Sequence, residues 1–331
     1  MRKMVLGAAL AAFGLAGAAA ADESPFVGNA EETYFMVSFL SGVEYWAPVY
    51  EMMEQAGQQL GVTTVFTGSP NYDLNEQLAV FEQVLARNPA GIIIAPMNPG
   101  PFVEPINRAT AMGVPVVTFG TDSPDSDRIS YVAPDDRRLA SEAADLIAEA
   151  MGGTGEYAVT ENPGQGGHDL RVRSFIERME SQWPNMTLAG RIVTNQDPTR
   201  AYTGISALAQ AHPNLGAVFT PEASSAIGVA QAGLELDNGM LVVCADVNAQ
   251  ILNMIKDGEV FAAFNPNQGV QGYISMMVAY MAQHQLIDPM NDYTQAGINP
   301  VQLPHIDNGF SIVTAENADF FYWEPYNARR E

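Results

Sequence analysis

The sequence has little sulfur and little positive charge. One cysteine, Cys244, stands among 331 residues. No intramolecular disulfide can form, and no cysteine-based zinc cluster can be built. Lysine occurs only as Lys3 and Lys256, and Lys plus Arg total 15 against 38 Asp plus Glu, for a formal net charge of −23. The acidity is thus a shortage of bases more than a surplus of acids. A chain this negative is repelled by phosphate backbones and anionic lipid, which argues against nucleic acid as a partner. The four histidines, His168, His212, His284 and His305, show no metal-ligand spacing. A nucleophile elbow and an activated-cysteine context are both missing. The run Gly164-Gln165-Gly166-Gly167 is not followed by Gly-Lys-Ser/Thr and lacks dinucleotide spacing, so it does not read as a phosphate cradle. No cofactor and no metal are expected.

Long apolar runs are scarce too. The only one, 4–21, follows Arg2 and Lys3, is rich in Ala, Gly and Leu, and ends in Ala19-Ala20-Ala21 before Asp22-Glu23-Ser24. A short positive start, an apolar stretch and a small-residue exit describe a secretory signal peptide over 1–21 rather than a membrane anchor. Cleavage would leave 13 basic against 38 acidic residues, a net charge of −25. The expectation is a soluble protein of the bacterial periplasm. No cysteine lies near the cleavage point to carry a lipid.

What the sequence does contain is alternation. Short apolar or β-branched runs at 34–39, 63–66, 91–95, 115–119 and 129–132 are followed by a second set at 156–160, 188–193, 216–219, 240–244 and 260–264. Helical patterns separate them: 45–60, 75–87, 102–112, 137–151, 170–182, 200–211, 223–236, 249–256 and 270–283. Strands apolar on both faces and alternating with helices predict parallel sheets covered on each side. At 331 residues the chain is long for one core, so two α/β domains of five strands each are expected.

In open parallel sheets the ligand crevice lies beyond the carboxyl ends of the strands. After the first strand, Ser41-Gly42-Val43-Glu44-Tyr45-Trp46 opens a helix. Neighbours on a helix are about 100° apart, so one of the two aromatics packs inward while the other can cover the cleft. An exposed aromatic face suits the C–H face of a sugar ring or a cation. Asp122 follows the fourth strand and serves either ligand hydroxyls or a turn before Ser123-Pro124. Glu222 and Asp246 each follow a strand and serve either a ligand or the next helix as a cap. Asp169, Arg171 and His168 lie where the glycine-rich loop enters a helix. Paired cleft carboxylates would also suit a secreted carbohydrate-active enzyme, the alternative from another class.

The order and spacing of several stretches resemble the periplasmic substrate-binding proteins of ABC importers, specifically the ribose-type sugar-binding group. The stretches are Val37-Ser38-Phe39-Leu40 with Tyr45-Trp46, Gly91-Ile92-Ile93-Ile94-Ala95-Pro96, and Gly113-Val114-Pro115-Val116-Val117-Thr118-Phe119. To these are added Ala211-His212-Pro213-Asn214-Leu215-Gly216-Ala217-Val218-Phe219, Leu241-Val242-Val243-Cys244-Ala245-Asp246, and Asp307-Asn308-Gly309 before Ser311-Ile312-Val313-Thr314.

The resemblance implies a type I periplasmic binding fold: two doubly wound parallel-sheet lobes, joined by a three-segment hinge, that close on ligand. It places crossings near 131–133, 265–267 and 301–303. Lobe one is then 22–131 plus 267–302, and lobe two 132–266 plus 303–331. It implies a sugar or polyol ligand, a permease in the inner membrane as partner, in some cases a chemoreceptor, and no catalysis; a monomer is expected. The family's ligand positions fall on Tyr45, Trp46 and Asp246. Its aspartate after the fourth strand falls on Gly120, with Asp122 near by. Its clamping arginine falls near Asp169, and Arg171 matches a later one. Its asparagine after Phe219 becomes Glu222, and its hinge glutamine falls on Pro266, with Asn267 and Gln268 beside it. With Ser41 and Glu44 of the first loop, these are the candidate ligand residues. The acidic substitutions also suggest a variant ligand bearing an amine, held by Glu222, Asp246 and Asp169.

Overall fold

The computed structural model describes residues 26–286 and 303–323. The expected signal peptide, 1–21, lies outside the described residues, as do 287–302 and 324–331 of the expected lobes.

The first sheet contains β1 (Thr33–Ser38), β2 (Thr63–Gly68), β3 (Gly91–Ile94), β4 (Val116–Phe119), β5 (Ser130–Ala133) and β11 (Leu303–Asp307). Its order is β11-β5-β4-β3-β1-β2, with every pair parallel. The second sheet contains β6 (Gly155–Glu161), β7 (Met186–Val193), β8 (Leu215–Thr220), β9 (Leu241–Ala245), β10 (Ala262–Asn265) and β12 (Ser311–Val313). Its order, β12-β10-β9-β8-β6-β7, repeats the first, except that β12 is antiparallel. Both are doubly wound α/β lobes, as the alternation predicts.

Alternate residues of each strand supply different cores. In β1, Tyr34 and Met36 face α1 (Trp46–Leu60) and α9 (Gln268–Gln283), while Phe35 and Val37 face α2 (Leu74–Leu85) and α3 (Val103–Ala111). In β9, Val243 and Ala245 face α4 (Asp136–Ala150) and α5 (Gly166–Gln182). Val242 and Cys244 face α6 (Pro198–Ala211), α7 (Ala223–Leu236) and α8 (Ala249–Lys256). The period-two geometry of a strand buried on both faces produces this division.

The crossings correct two expected boundaries. Ala133 still pairs with Asp307 in the first sheet, so the first crossing is at Pro134–Asp135, where the Asp135 carboxylate caps α4 through the N–H groups of Arg137 and Arg138. Residues 303–307, expected in lobe two, form β11 beside β5, so the third crossing falls at 308–310 and not at 301–303. β11 is an edge strand with mostly exposed side chains and Pro304 inside it, and it carries no apolar alternation to read. The crossings are bound side by side: Asn308 Nδ2 donates to Pro266 O at 2.5 Å and Asn267 Nδ2 to Asn308 O at 3.2 Å. Asp135 N–H donates to Asp307 Oδ1 at 3.2 Å.

Candidate ligand-binding site

In the order β2-β1-β3 the winding reverses between β1 and β3, and likewise between β6 and β8. A crevice opens at such points, beyond the strand ends. Both crevices face one cavity, lined from lobe one by Phe39, Tyr45, Trp46 and Ala95 and from lobe two by Arg171, Glu222 and Asp246. The rims meet across it. The Glu44 carboxylate accepts from the Ala249 N–H at 3.3 Å, and Asn98 Nδ2 donates to Gly164 O at 2.7 Å.

The lobe-one wall is aromatic. Trp46, 5% exposed, packs edge-on against Phe39 and Phe119 at centroid distances of 5.4 and 5.8 Å. Its indole N–H donates to Leu40 O at 3.2 Å, which fixes the ring. Tyr45 meets it edge-on at 4.9 Å and donates its hydroxyl proton to Gln271 Oε1 at 2.9 Å. Trp46 is therefore the inward aromatic and Tyr45 the one over the cleft, although both reach the cavity.

The lobe-two wall is ionic. Arg171, on α5, donates from Nε to Asp136 Oδ1 at 2.7 Å and from Nη1 to Pro221 O at 2.9 Å and Asp246 Oδ1 at 3.3 Å. Burial opposes its charge, yet Asp136 and Asp246 hold its pKa above the ordinary arginine value. A guanidinium shared by two carboxylates leaves one negative charge in excess. Asp246 carries it: burial pushes its pKa up to about 6, Arg171 pulls it back, and Glu222 adds repulsion. Its backbone is left-handed, with φ of 67°, an uncommon conformation for a residue other than glycine.

Glu222 reaches the same cavity with its oxygens already engaged. Both accept from backbone N–H groups of Ser224 and Ser225 at the start of α7, so the carboxylate is a helix cap. That disposes of a free acid/base pair with Asp246. Asn248, not Asp246, caps α8 through the Ile251 N–H.

Five candidates stand away from the cavity lining. Asp122 is gripped by Arg128 through Nε at 2.5 Å and Nη2 at 2.6 Å, and accepts from Thr118 Oγ1 and Ser123 N–H; it closes a lobe-one turn. Asp169, in the first turn of α5, is exposed and accepts from Gly164 N–H in the preceding loop. Ser41 donates its N–H to Ser69 O. Asn267 belongs to the crossings, and Gln268 Nε2 ties α9 to Val247 O at 3.1 Å. With Asp169 outside and Glu222 engaged, the three-acid cage for an amine does not assemble.

The cavity also holds Gln165, His168, Gln196, Ser224 and Asn248, none of them singled out as ligand residues from sequence. Gln196 lies just beyond β7, so the strand-end rule applied to that edge strand would have found it. Gln165 ends the loop after β6 and His168 lies in the first turn of α5, beside the charged Asp169. Among the described residues no group of three His, Cys, Asp or Glu is placed to hold a metal.

Two hinged lobes around a buried aromatic and ionic cavity define a solute-binding protein. Residues 33–285 match the family model described as a periplasmic binding protein domain, and the chain belongs to that family. It is similar to the ribose import binding protein RbsB of Bacillus subtilis (strain 168), 26% identical over 63% of this chain and 68% of the relative. Similarity to the D-allose-binding periplasmic protein of Escherichia coli (strain K12) is 25% identity over 67% of this chain and 75% of the relative. A solved sugar ABC transporter sugar-binding protein from Bacillus halodurans superposes with a TM-score of 0.81, at 31% identity, over 88% of this chain and all of its own. These relatives are binding proteins, and this chain is a binding protein, not an enzyme.

Proposed function

We propose that the chain captures a small neutral sugar or polyol between its lobes and delivers it to the permease of an ABC importer, working as a monomer in the periplasm after its signal peptide is removed. The observation that carries this reading is the two-sided cavity, with aromatic faces on one lobe and the Arg171–Asp246 pair on the other. Donors from Arg171 and an acceptor on Asp246 suit the hydroxyls of a sugar, whose C–H face then lies on Tyr45 or Trp46. A ligand bridging both lobes makes its full contacts only when they are closed, so binding draws the population toward closure. The names of the relatives, which include ribose and allose binders, agree with this class of ligand.

Thermal-shift screening tests the reading with neutral aldoses, ketoses and pentitols beside amino sugars and polyamines. At 100 times Kd a ligand adds about 2.7 kcal/mol, a shift of several degrees. At least one neutral compound stabilises the wild type, while Asp246→Ala stays folded and does not respond. Stabilisation by amines alone would move the reading to a cationic ligand, and an undiminished response in Asp246→Ala would move the site elsewhere.

A further inference from the structure

Behind the cavity wall of lobe two lies a chain of buried polar groups that the binding reading does not use. It begins at a backbone N–H, whose polarity is fixed. Gln196 N–H donates to Asn162 Oδ1 at 2.7 Å, and the Thr194 hydroxyl lies 3.1 Å from the same oxygen. The amide of Asn162, 1% exposed, therefore has its oxygen toward Gln196 and its nitrogen on the opposite side. Glu222 agrees, since its carboxylate can only accept and it shares a hydrogen bond with the Asn162 side chain. Asn162 Nδ2 stands 2.9 Å from His168 Nδ1. An amide nitrogen only donates, so Nδ1 must carry a lone pair and the ring proton must sit on Nε2. A charged imidazolium would set N–H against N–H at this contact. Burial first, and then the nearby Arg171 charge, also disfavour the charged ring.

We infer that His168 is a specificity residue of the binding site, a neutral imidazole that presents Nε2–H to a hydroxyl or ring oxygen of the ligand, with Asn162 as the positioning residue that fixes its tautomer. The inference rests on the reading of the cavity as a sugar site. His168 lines that cavity, and among the described residues no acceptor is assigned to Nε2. Its neighbour Arg171, a second donor group, lines the same cavity, so this part of the wall suits acceptor oxygens.

Two readouts on the full mature chain test the inference. Long-range ¹H–¹⁵N NMR at pH 7, with the His168 signals identified by their loss in His168→Gln, reports the tautomer without any ligand. The expected result is Nε2–H alone, with the Nδ1–H form becoming populated in Asn162→Ala. An Nδ1–H ring or an imidazolium in the wild type would overturn the inference, and an unchanged tautomer in Asn162→Ala would remove Asn162 from it. Calorimetric titration with D-ribose, D-allose, L-arabinose, D-xylose and ribitol supplies the second readout. For whichever binds the wild type, His168→Leu weakens affinity about 10-fold or more, and His168→Gln, which keeps an N–H near Nε2, restores most of it. Equal affinity of wild type and His168→Leu would refute the specificity role while leaving the sugar reading intact. If none of the five binds but the wild-type ring carries Nε2–H, it is the sugar reading that fails and the tautomer assignment that stands.

Discussion

At the scale of single residues, Asp246 concentrates the chemistry of the site. It is left-handed in backbone, buried, and only half neutralised by an arginine that a second carboxylate shares. Its pKa of about 6 in the folded chain stands against about 3.9 in an unfolded one. The folded state therefore keeps its proton to higher pH, and the group's contribution to stability is lost as pH rises through 6. Asp246→Asn removes that dependence. The ligand-free variant should melt above the wild type at pH 8, with the gap narrowing as pH falls below 6. Melting curves across this range check the sign, and a gap that widens toward acid would contradict it. Asp246, Tyr45, Trp46 and Arg171 were legible because strand ends and a family pattern both point to them. Asp122 and Asp169 looked equally good. Their partners, a two-toothed grip from Arg128 and the N–H of Gly164, are set by loop geometry that residue type alone does not reveal.

At the scale of elements, two helix pairs pack backbone to backbone. A Cβ at Gly272 on α9 would stand 1.8 Å from Val49 O on α1, and one at Gly228 on α7 would stand 1.9 Å from Pro198 O at the start of α6. Alanine in a helix interior gains up to about 1 kcal/mol over glycine from propensity. Overpacking against an unyielding backbone costs about 1–3 kcal/mol or more, so the clash decides the sign. Gly272→Ala and Gly228→Ala should each lower the urea midpoint; a raised midpoint would mean that the helices can separate freely. The Glu222 cap gives a complementary case. Glu222→Ala costs about 1 kcal/mol and Glu222→Ser recovers most of it, as expected of a helix cap. Among the described residues, β1–β10 and α1–α9 are readable from sequence because burial on both strand faces and helical periodicity each leave a strong pattern. β11 was not: an exposed edge strand with an internal proline owes its place to pairing with β5, a contact made some 170 residues away in sequence.

At the scale of the whole molecule, one topology occurs twice, and its two winding reversals face each other across three adjoining crossings. The net charge of −23 takes on a narrower meaning in this setting. In the cavity, Asp246 is the carboxylate that Arg171 only half neutralises, because Asp136 shares that arginine, while Glu222 is held by the N–H groups at the start of α7. Asp246 as an acceptor, beside the donors of Arg171 and under an aromatic wall, suits the hydroxyls of the proposed sugar. The most direct measurement is a crystal structure of the protein with the neutral sugar that stabilises it most. The account predicts one sugar ring between the lobes, a face on Tyr45 or Trp46 and hydroxyls on Asp246 and Arg171. A ring bound to one lobe only, away from Asp246, would contradict it.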